Sequence, residues 1–107
     1  MMEIKGTLPV ALKILVGQTA ISSKSVVMRP LTAIEYLNAQ ANITEGQYIA
    51  ISDLTAMTKL IAPDGTEHAI SYDMLGHSSR SNLSYLNQLR KKLDAKEQAE
   101  DSEQEHD

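Results

Sequence analysis

The chain has 107 residues, enough for one domain of ordinary size, and its lack of cysteine excludes disulfides, thiolate metal sites and cysteine nucleophiles. The net charge of −4 is unevenly distributed, because seven of the fourteen acidic residues lie from Asp94 onward, beside one base, Lys96. Residues 1–93 therefore carry nine bases and seven acids, which is not the concentrated basic content of a nucleic-acid-binding protein.

The first regular pattern is the alternation of apolar residues over residues 7–16, which predicts a strand with one buried face. Pro9 has no N–H group to donate to a neighbouring strand, so we expect an edge position there. Gly17-Gln18 interrupts the pattern, and a second extended run from Thr19 to Met28 completes a β-hairpin. The face predicted to be buried carries Leu8, Val10, Leu12, Ile14 and Val16.

Two helix starts follow, each with the spacing of a capping box. In the first, Thr32 and Glu35 are three residues apart, which predicts a short helix over residues 33–40. In the second, Thr44 and Gln47 have the same spacing, which predicts a helix from about Glu45 to Ile61. One stripe of this helix is largely apolar: Tyr48, Ile51, Leu54, Met57 or Thr58, and Ile61.

The segment after the second helix contains the turn sequence Pro63-Asp64-Gly65-Thr66. This turn either closes a small hairpin between residues 60–62 and 67–70 or ends the helix. A short helical turn is expected from Ser71 or Tyr72 to Leu75. A last helix follows over about residues 79–95, with apolar positions Leu83, Leu86, Leu89 and Leu93.

These elements predict an α+β fold: an N-terminal antiparallel β-hairpin, three or four helical segments, and a small second hairpin near residues 60–70 as an option. We assign residues 1–93 to one assembly or binding domain. Residues 94–107 form an acidic tail whose composition favours disorder or a frayed helix. The tail is interpreted as a solubilising appendage, with attraction of a basic partner as the alternative.

Chemistry-bearing residues do not form a recognisable catalytic or metal-binding motif. His68, His77 and His106 lack the short spacings of metal ligands. The serines beside His77 are better explained as helix caps than as nucleophiles, because no nucleophile-elbow sequence surrounds them. Asp73 and Glu67 are too isolated to be a carboxylate pair. We therefore predict no catalytic residue, no metal and no cofactor, and a protein that is not an enzyme.

The longest apolar stretch is too short to cross a bilayer, because Pro9 and Lys13 interrupt Leu8–Val16. The sequence also lacks the basic leader and small-residue cleavage site of a signal peptide. We expect a cytoplasmic protein that does not bind membranes.

The segment Val26-Val27-Met28-Arg29-Pro30-Leu31-Thr32-Ala33-Ile34-Glu35 resembles the junction between strand pair and helix in the small tail assembly proteins of Mu-like and related contractile-tailed phages. Arg29, Thr32, Ala33 and Glu35 stand at the junction positions, and Leu83, Leu86 and Leu89 fall in the Leu-rich last helix. The resemblance covers about residues 7–93.

The resemblance implies a tail assembly chaperone in the host cytoplasm. Such a protein binds the tape measure protein, and possibly the tail tube protein, and keeps the former soluble while the tail tube polymerises. Self-association is compatible with the one-sided apolar hairpin. The partner surface stays open between the hairpin edge near Leu15 and a groove between the second and last helices.

Two other functions fit the sequence. One is a small structural tail or baseplate protein that is retained in the virion. The other is a small regulatory nucleic-acid-binding protein that uses Arg80, Arg90, Lys91 and Lys92, although the near-neutral domain argues against it.

Overall fold

The computed structural model describes residues 2–105, and it has the α+β fold that the sequence predicts. Four strands form one antiparallel sheet in the order of the chain, with two helices inserted between the second and third strands. The elements are β1 (Ile4–Val16), β2 (Thr19–Met28), α1 (Ala33–Ala41), α2 (Ile49–Met57), β3 (Thr58–Ile61), β4 (Glu67–Ala69), α3 (Tyr72–Gly76) and α4 (Arg80–Glu105).

The N-terminal β-hairpin is confirmed. Strands β1 and β2 pair antiparallel, and β1 is the edge strand that Pro9 predicts. The turn at residues 17–18 uses Gly17 at φ 64°, a left-handed conformation that glycine adopts without steric cost.

The prediction that all five apolar residues of β1 share a buried face is wrong. Leu8 and Leu12 are buried and Ile14 packs partly against the core, but Val10 and Val16 are 46% and 42% exposed. The pairing shifts between Thr7 and Leu12, so that residues 8–11 of β1 stand opposite a single residue of β2. This bulge interrupts the two-residue alternation at Val10, whereas Val16 is exposed because it ends the strand beside the hairpin turn.

Two side chains of α4 bind the backbone of β1 around this bulge. Asn82 is fully buried; its Oδ1 accepts from the Val10 N–H at 3.0 Å and its Nδ2 donates to the Val10 carbonyl at 3.0 Å. The Tyr85 hydroxyl accepts from the Thr7 N–H at 2.9 Å. Gly6 lies directly against Tyr85, and a Cβ atom at that position would collide with the hydroxyl. Helix α4 therefore supplies the hydrogen bonds that β2 does not.

The first predicted helix is confirmed and the second is displaced. Helix α1 has the complete capping box of Thr32 and Glu35. At the second box the Thr44 N–H does donate to Gln47 Oε1 at 3.1 Å, but Gly46 at φ 89° makes a turn there. As a result, α2 begins four residues later than predicted, at Ile49.

The predicted C-terminal end of the second helix is also wrong, because the helix ends at Met57 and residues 58–61 form β3 instead. This strand pairs with β2 on one side and with β4 on the other. Thr58 and Leu60 alternate with exposed Lys59, a strand pattern that the helical stripe concealed. The optional second hairpin is thus present, and its turn has Gly65 at φ 90°.

The last two helices begin close to the predicted residues. Ser71 caps α3 through the Met74 N–H, and α4 starts at Arg80. Leu86, Leu89 and Leu93 are buried in a core that includes residues from the sheet and from α2. Helix α4 continues to Glu105, past the predicted end near Ala95, while residues 94–99 are exposed.

Replacing Asn82 by alanine is expected to lower the free energy of unfolding by about 2–4 kcal/mol, because both Val10 backbone groups lose their partner. Urea denaturation at neutral pH measures this change. The control is Asn87→Ala on the same helix, whose side chain makes no hydrogen bond with another described residue. An unchanged midpoint for Asn82→Ala would contradict this role.

Candidate partner-binding site

None of the residues of helix α1 is buried. Ile34 and Leu37 are 71% and 63% exposed, and their three-residue spacing puts them on one side of the helix. We call these two residues the apolar α1 face. Large apolar side chains grouped in this way on a surface are typical of a contact with another molecule.

The start of α1 is held by its own side chains. Glu35 Oε1 accepts from the Thr32 N–H at 2.9 Å, and the Glu35 N–H donates to Thr32 Oγ1 at 3.1 Å. The hydrogen bonds from the backbone and the hydroxyl of Thr32 lower the pKa of Glu35. Farther along the helix, Gln40 Nε2 donates to Asp53 Oδ1 of α2 at 3.0 Å. These contacts fix α1 without covering the apolar α1 face.

A second exposed apolar surface lies at the tip of the N-terminal hairpin. Leu15 is 75% exposed, and residues 13–16 line an open depression of about 470 Å³ together with His68, Ala69 and Met74. This is the hairpin surface that the sequence left open as a partner site. The edge farther along β1 is less available for strand addition, because Thr7 and Val10 already bind α4.

A cavity of about 230 Å³ lies where the start of α1 meets α2 and α4, which is the region of the groove predicted between the second and last helices. We call it the interhelical cavity. Its walls combine apolar side chains with carboxylates and one guanidinium. The lining residues are Pro30, Leu31, Thr32, Ala33, Tyr36, Asp53, Met57, Arg90, Asp94 and Glu97.

Asp53 is the buried charged group of this cavity, with 5% of its surface exposed. While Oδ1 accepts from Gln40, the nearest cation to Oδ2 is Arg90 Nη1 at 3.9 Å. The sequence interpretation did not select Asp53. One signal was present: Asp53 precedes Met57 by four residues and so shares a helix face with a residue of the apolar stripe.

The residues of the junction that carries the resemblance form ion pairs and helix caps in the structure. Arg29 binds Glu67 through two hydrogen bonds of 2.7 and 2.8 Å and also pairs with Glu3 at 3.0 Å. These bonds raise the pKa of Arg29 above its ordinary value. Arg29 thereby joins the end of β2 to β4 and to the N-terminal segment, while Thr32 and Glu35 cap α1.

The other residues considered from sequence do not come together as a reactive group. His68 contacts Thr66 at 2.9 Å, and His77 follows α3 as its C-cap. Ser78 Oγ donates to the Leu75 carbonyl, and Ser79 Oγ accepts from the Ser81 N–H. His106 lies outside the described residues.

Among residues 2–99, whose side chains the structure describes, there is no group of three or more side chains suited to hold a metal ion. Within residues 2–105, every helix is too short or too polar to cross a membrane.

Comparison with protein-family models, with curated proteins and with solved structures finds no match to this chain.

The bidentate Arg29–Glu67 pair predicts a pH dependence of stability. Hydrogen bonding from Arg29 lowers the pKa of Glu67 below its ordinary value, so the pair stabilises the fold at pH values above that range. The contribution is lost as the pH falls through the lowered pKa.

Urea midpoints between about pH 7 and about pH 3 should therefore fall less steeply for Glu67→Gln than for the wild type. Glu35 and Asp64 also have lowered pKa values, so part of the acid sensitivity will remain in the variant. Glu45→Gln, in the loop before α2, is the matched control and should keep the wild-type slope. Equal slopes for all three proteins would disprove the prediction.

Proposed function

We infer that this chain is a non-enzymatic assembly chaperone that binds a helical segment of a protein partner through the apolar α1 face. The observation that carries this proposal is the exposure of Ile34 and Leu37 on a helix with no buried residue. Helices of this length are marginal without tertiary packing. A partner that covers the apolar α1 face would remove apolar surface from water and stabilise α1 at the same time.

The resemblance supplies the identity of the partner in this proposal. It implies the tape measure protein of a tailed phage, a long helix-rich chain, with the tail tube protein as a further partner in the host cytoplasm. An amphipathic partner helix can place its apolar side chains against Ile34 and Leu37. Retention in the virion as a structural tail or baseplate protein is the competing function.

The contacts around β1 favour α1 over the hairpin edge as the binding surface. Strand addition needs unpaired backbone groups, but the Thr7 N–H is bonded to Tyr85 and both backbone groups of Val10 are bonded to Asn82. Helix recognition needs exposed apolar side chains at helical spacing, which α1 provides.

Co-expression with the tape measure protein encoded in the same genome tests the proposal. The wild-type chain should raise the soluble fraction of the tape measure protein, and the double variant Ile34→Ser/Leu37→Ser should remove most of that gain. Because both side chains are exposed, the variant should keep a melting temperature close to the wild type, as circular dichroism can verify.

Leu15→Ser is the matched control, since Leu15 is equally apolar and exposed but lies on the hairpin tip. It should leave the solubility gain intact. The proposal fails if the tape measure protein is equally insoluble with and without the wild-type chain. If Leu15→Ser alone lost the gain in soluble tape measure protein, the binding surface would lie on the hairpin and not on α1.

Mass spectrometry of purified phage particles tests the competing structural function. The chaperone proposal predicts that this chain is absent from the particles, and its presence there would favour the structural role.

A further inference from the structure

One carboxylate of the interhelical cavity, that of Asp53, forms an ion pair with Arg90 but leaves one oxygen without a hydrogen bond. Asp53 Oδ2 makes no hydrogen bond with any residue in the described range, and the 3.9 Å separation from Arg90 exceeds hydrogen-bonding distance. The loose ion pair with Arg90 leaves Oδ2 able to accept a hydrogen bond from a further cationic or donor group. Since Asp53 also lines the cavity, a ligand in the cavity can supply that group.

The charges around the cavity have the sign that attracts a cation. Asp94 and Glu97 of α4 add two carboxylates to Asp53, while Arg90 is the one cation in the cavity lining. The N-terminus of α1 contributes a partial positive charge at Thr32, which the Glu35 carboxylate in the capping box offsets. The lining is therefore net negative, and this favours entry of a positively charged group.

The size and the walls of the cavity fit one long side chain. Its volume of about 230 Å³ is below the usual range for drug-sized ligands. Leu31 and Met57 provide apolar contact for an aliphatic stem, in the manner of a lysine or arginine that buries its methylene groups. The ring of Tyr36 is available to the cationic head for a cation–π contact.

We propose that the interhelical cavity binds the cationic side chain of a lysine or arginine from the protein partner, with Asp53 Oδ2 as its acceptor. The source of the cation rests on the proposed function, which supplies a protein partner beside α1. Asp94 and Glu97 bind the head from the solvent side, so the start of the acidic segment is part of the site. The partner would then carry a basic residue next to the apolar residues that cover the apolar α1 face.

The test uses n-butylguanidinium as the probe, titrated into the ¹⁵N-labelled full chain and followed by amide chemical shifts. Saturable shifts are expected at the cavity residues, with the millimolar affinity typical of a small fragment. The uncharged isostere n-butylurea should give no saturable shifts. Equal shifts with both compounds, or shifts that do not saturate, would overturn the proposal.

Asp53→Asn keeps the size of the side chain and should weaken n-butylguanidinium binding about tenfold or more. The matched control Asp73→Asn removes an exposed carboxylate outside the cavity lining and should bind as the wild type does. In case Asp53→Asn unfolds, Glu97→Gln alters an exposed residue and should weaken binding about twofold to threefold. Unchanged affinity in folded Asp53→Asn, or in Glu97→Gln, would overturn the assignment.

The titration needs no partner, so it separates this proposal from the proposed function. If n-butylguanidinium does not bind but co-expression still makes the tape measure protein soluble, the cavity assignment falls and the chaperone role stands. If the probe binds and co-expression has no effect, the cation site stands and the partner must be sought elsewhere.

Discussion

The two hydrogen bonds between the Asn82 side chain and the backbone of Val10 join residues that are 72 positions apart. Strand β1 leaves its ladder with β2 at this point, and backbone groups released from a ladder must find other partners. Asn82 presents an acceptor and a donor at once, as a neighbouring strand would. The Tyr85 hydroxyl repeats the contact at Thr7, where Gly6 permits its close approach. Helix α4 is therefore fixed to the edge strand by polar contacts as well as by its leucines.

The position of α4 also decides which of its side chains line the interhelical cavity. Arg90, Asp94 and Glu97 lie on the same helix, about two to four turns after Asn82, and they reach the cavity beside α2 and the start of α1. Both inserted helices belong to the connection between β2 and β3. Helix α1 contacts the domain through Gln40 and Asp53 but leaves Ile34 and Leu37 exposed. The fold thus presents a charged cavity and an apolar helix face on one helical connection, with the sheet as the support.

The sequence predicted the elements whose determinants are local. The Thr32–Glu35 capping box, the turn glycines Gly17 and Gly65, and the leucine spacing of the last helix each depend on a few neighbouring residues, and each is found in the structure. The errors arose where a distant contact decided the outcome. Strand β2 needs a partner over Val26–Met28, so residues 58–61 pair with it rather than extend α2. At the bulge of β1 the Val10 backbone is bonded to Asn82, 72 positions away, a contact that no local pattern could indicate.

For the candidate site, too, the sequence indicated features that depend on neighbouring residues and missed those that depend on distant contacts. The exposed tip at Leu15 and the groove between the second and last helices were predicted as alternatives, and the structure has an apolar depression at the first and a cavity at the second. Asp53 was missed because its burial depends on α1 and α4, which lie on either side of α2 in sequence. From the sequence, Arg90 was named in the nucleic-acid-binding alternative rather than as part of this cavity, although it lies 3.9 Å from Asp53. The fold brings charged residues that are far apart in sequence together in the lining of the interhelical cavity.

The central claim is that α1 is the surface that binds the partner. Hydrogen–deuterium exchange of this chain, alone and in a purified complex with the tape measure protein, tests it most directly. A helix with no buried residue should exchange fast in the free chain and slowly when covered. The account predicts that protection on binding is largest over residues 33–41 and adjacent parts of α2. Protection confined to the hairpin tip at residues 14–21, with α1 unchanged, would contradict it.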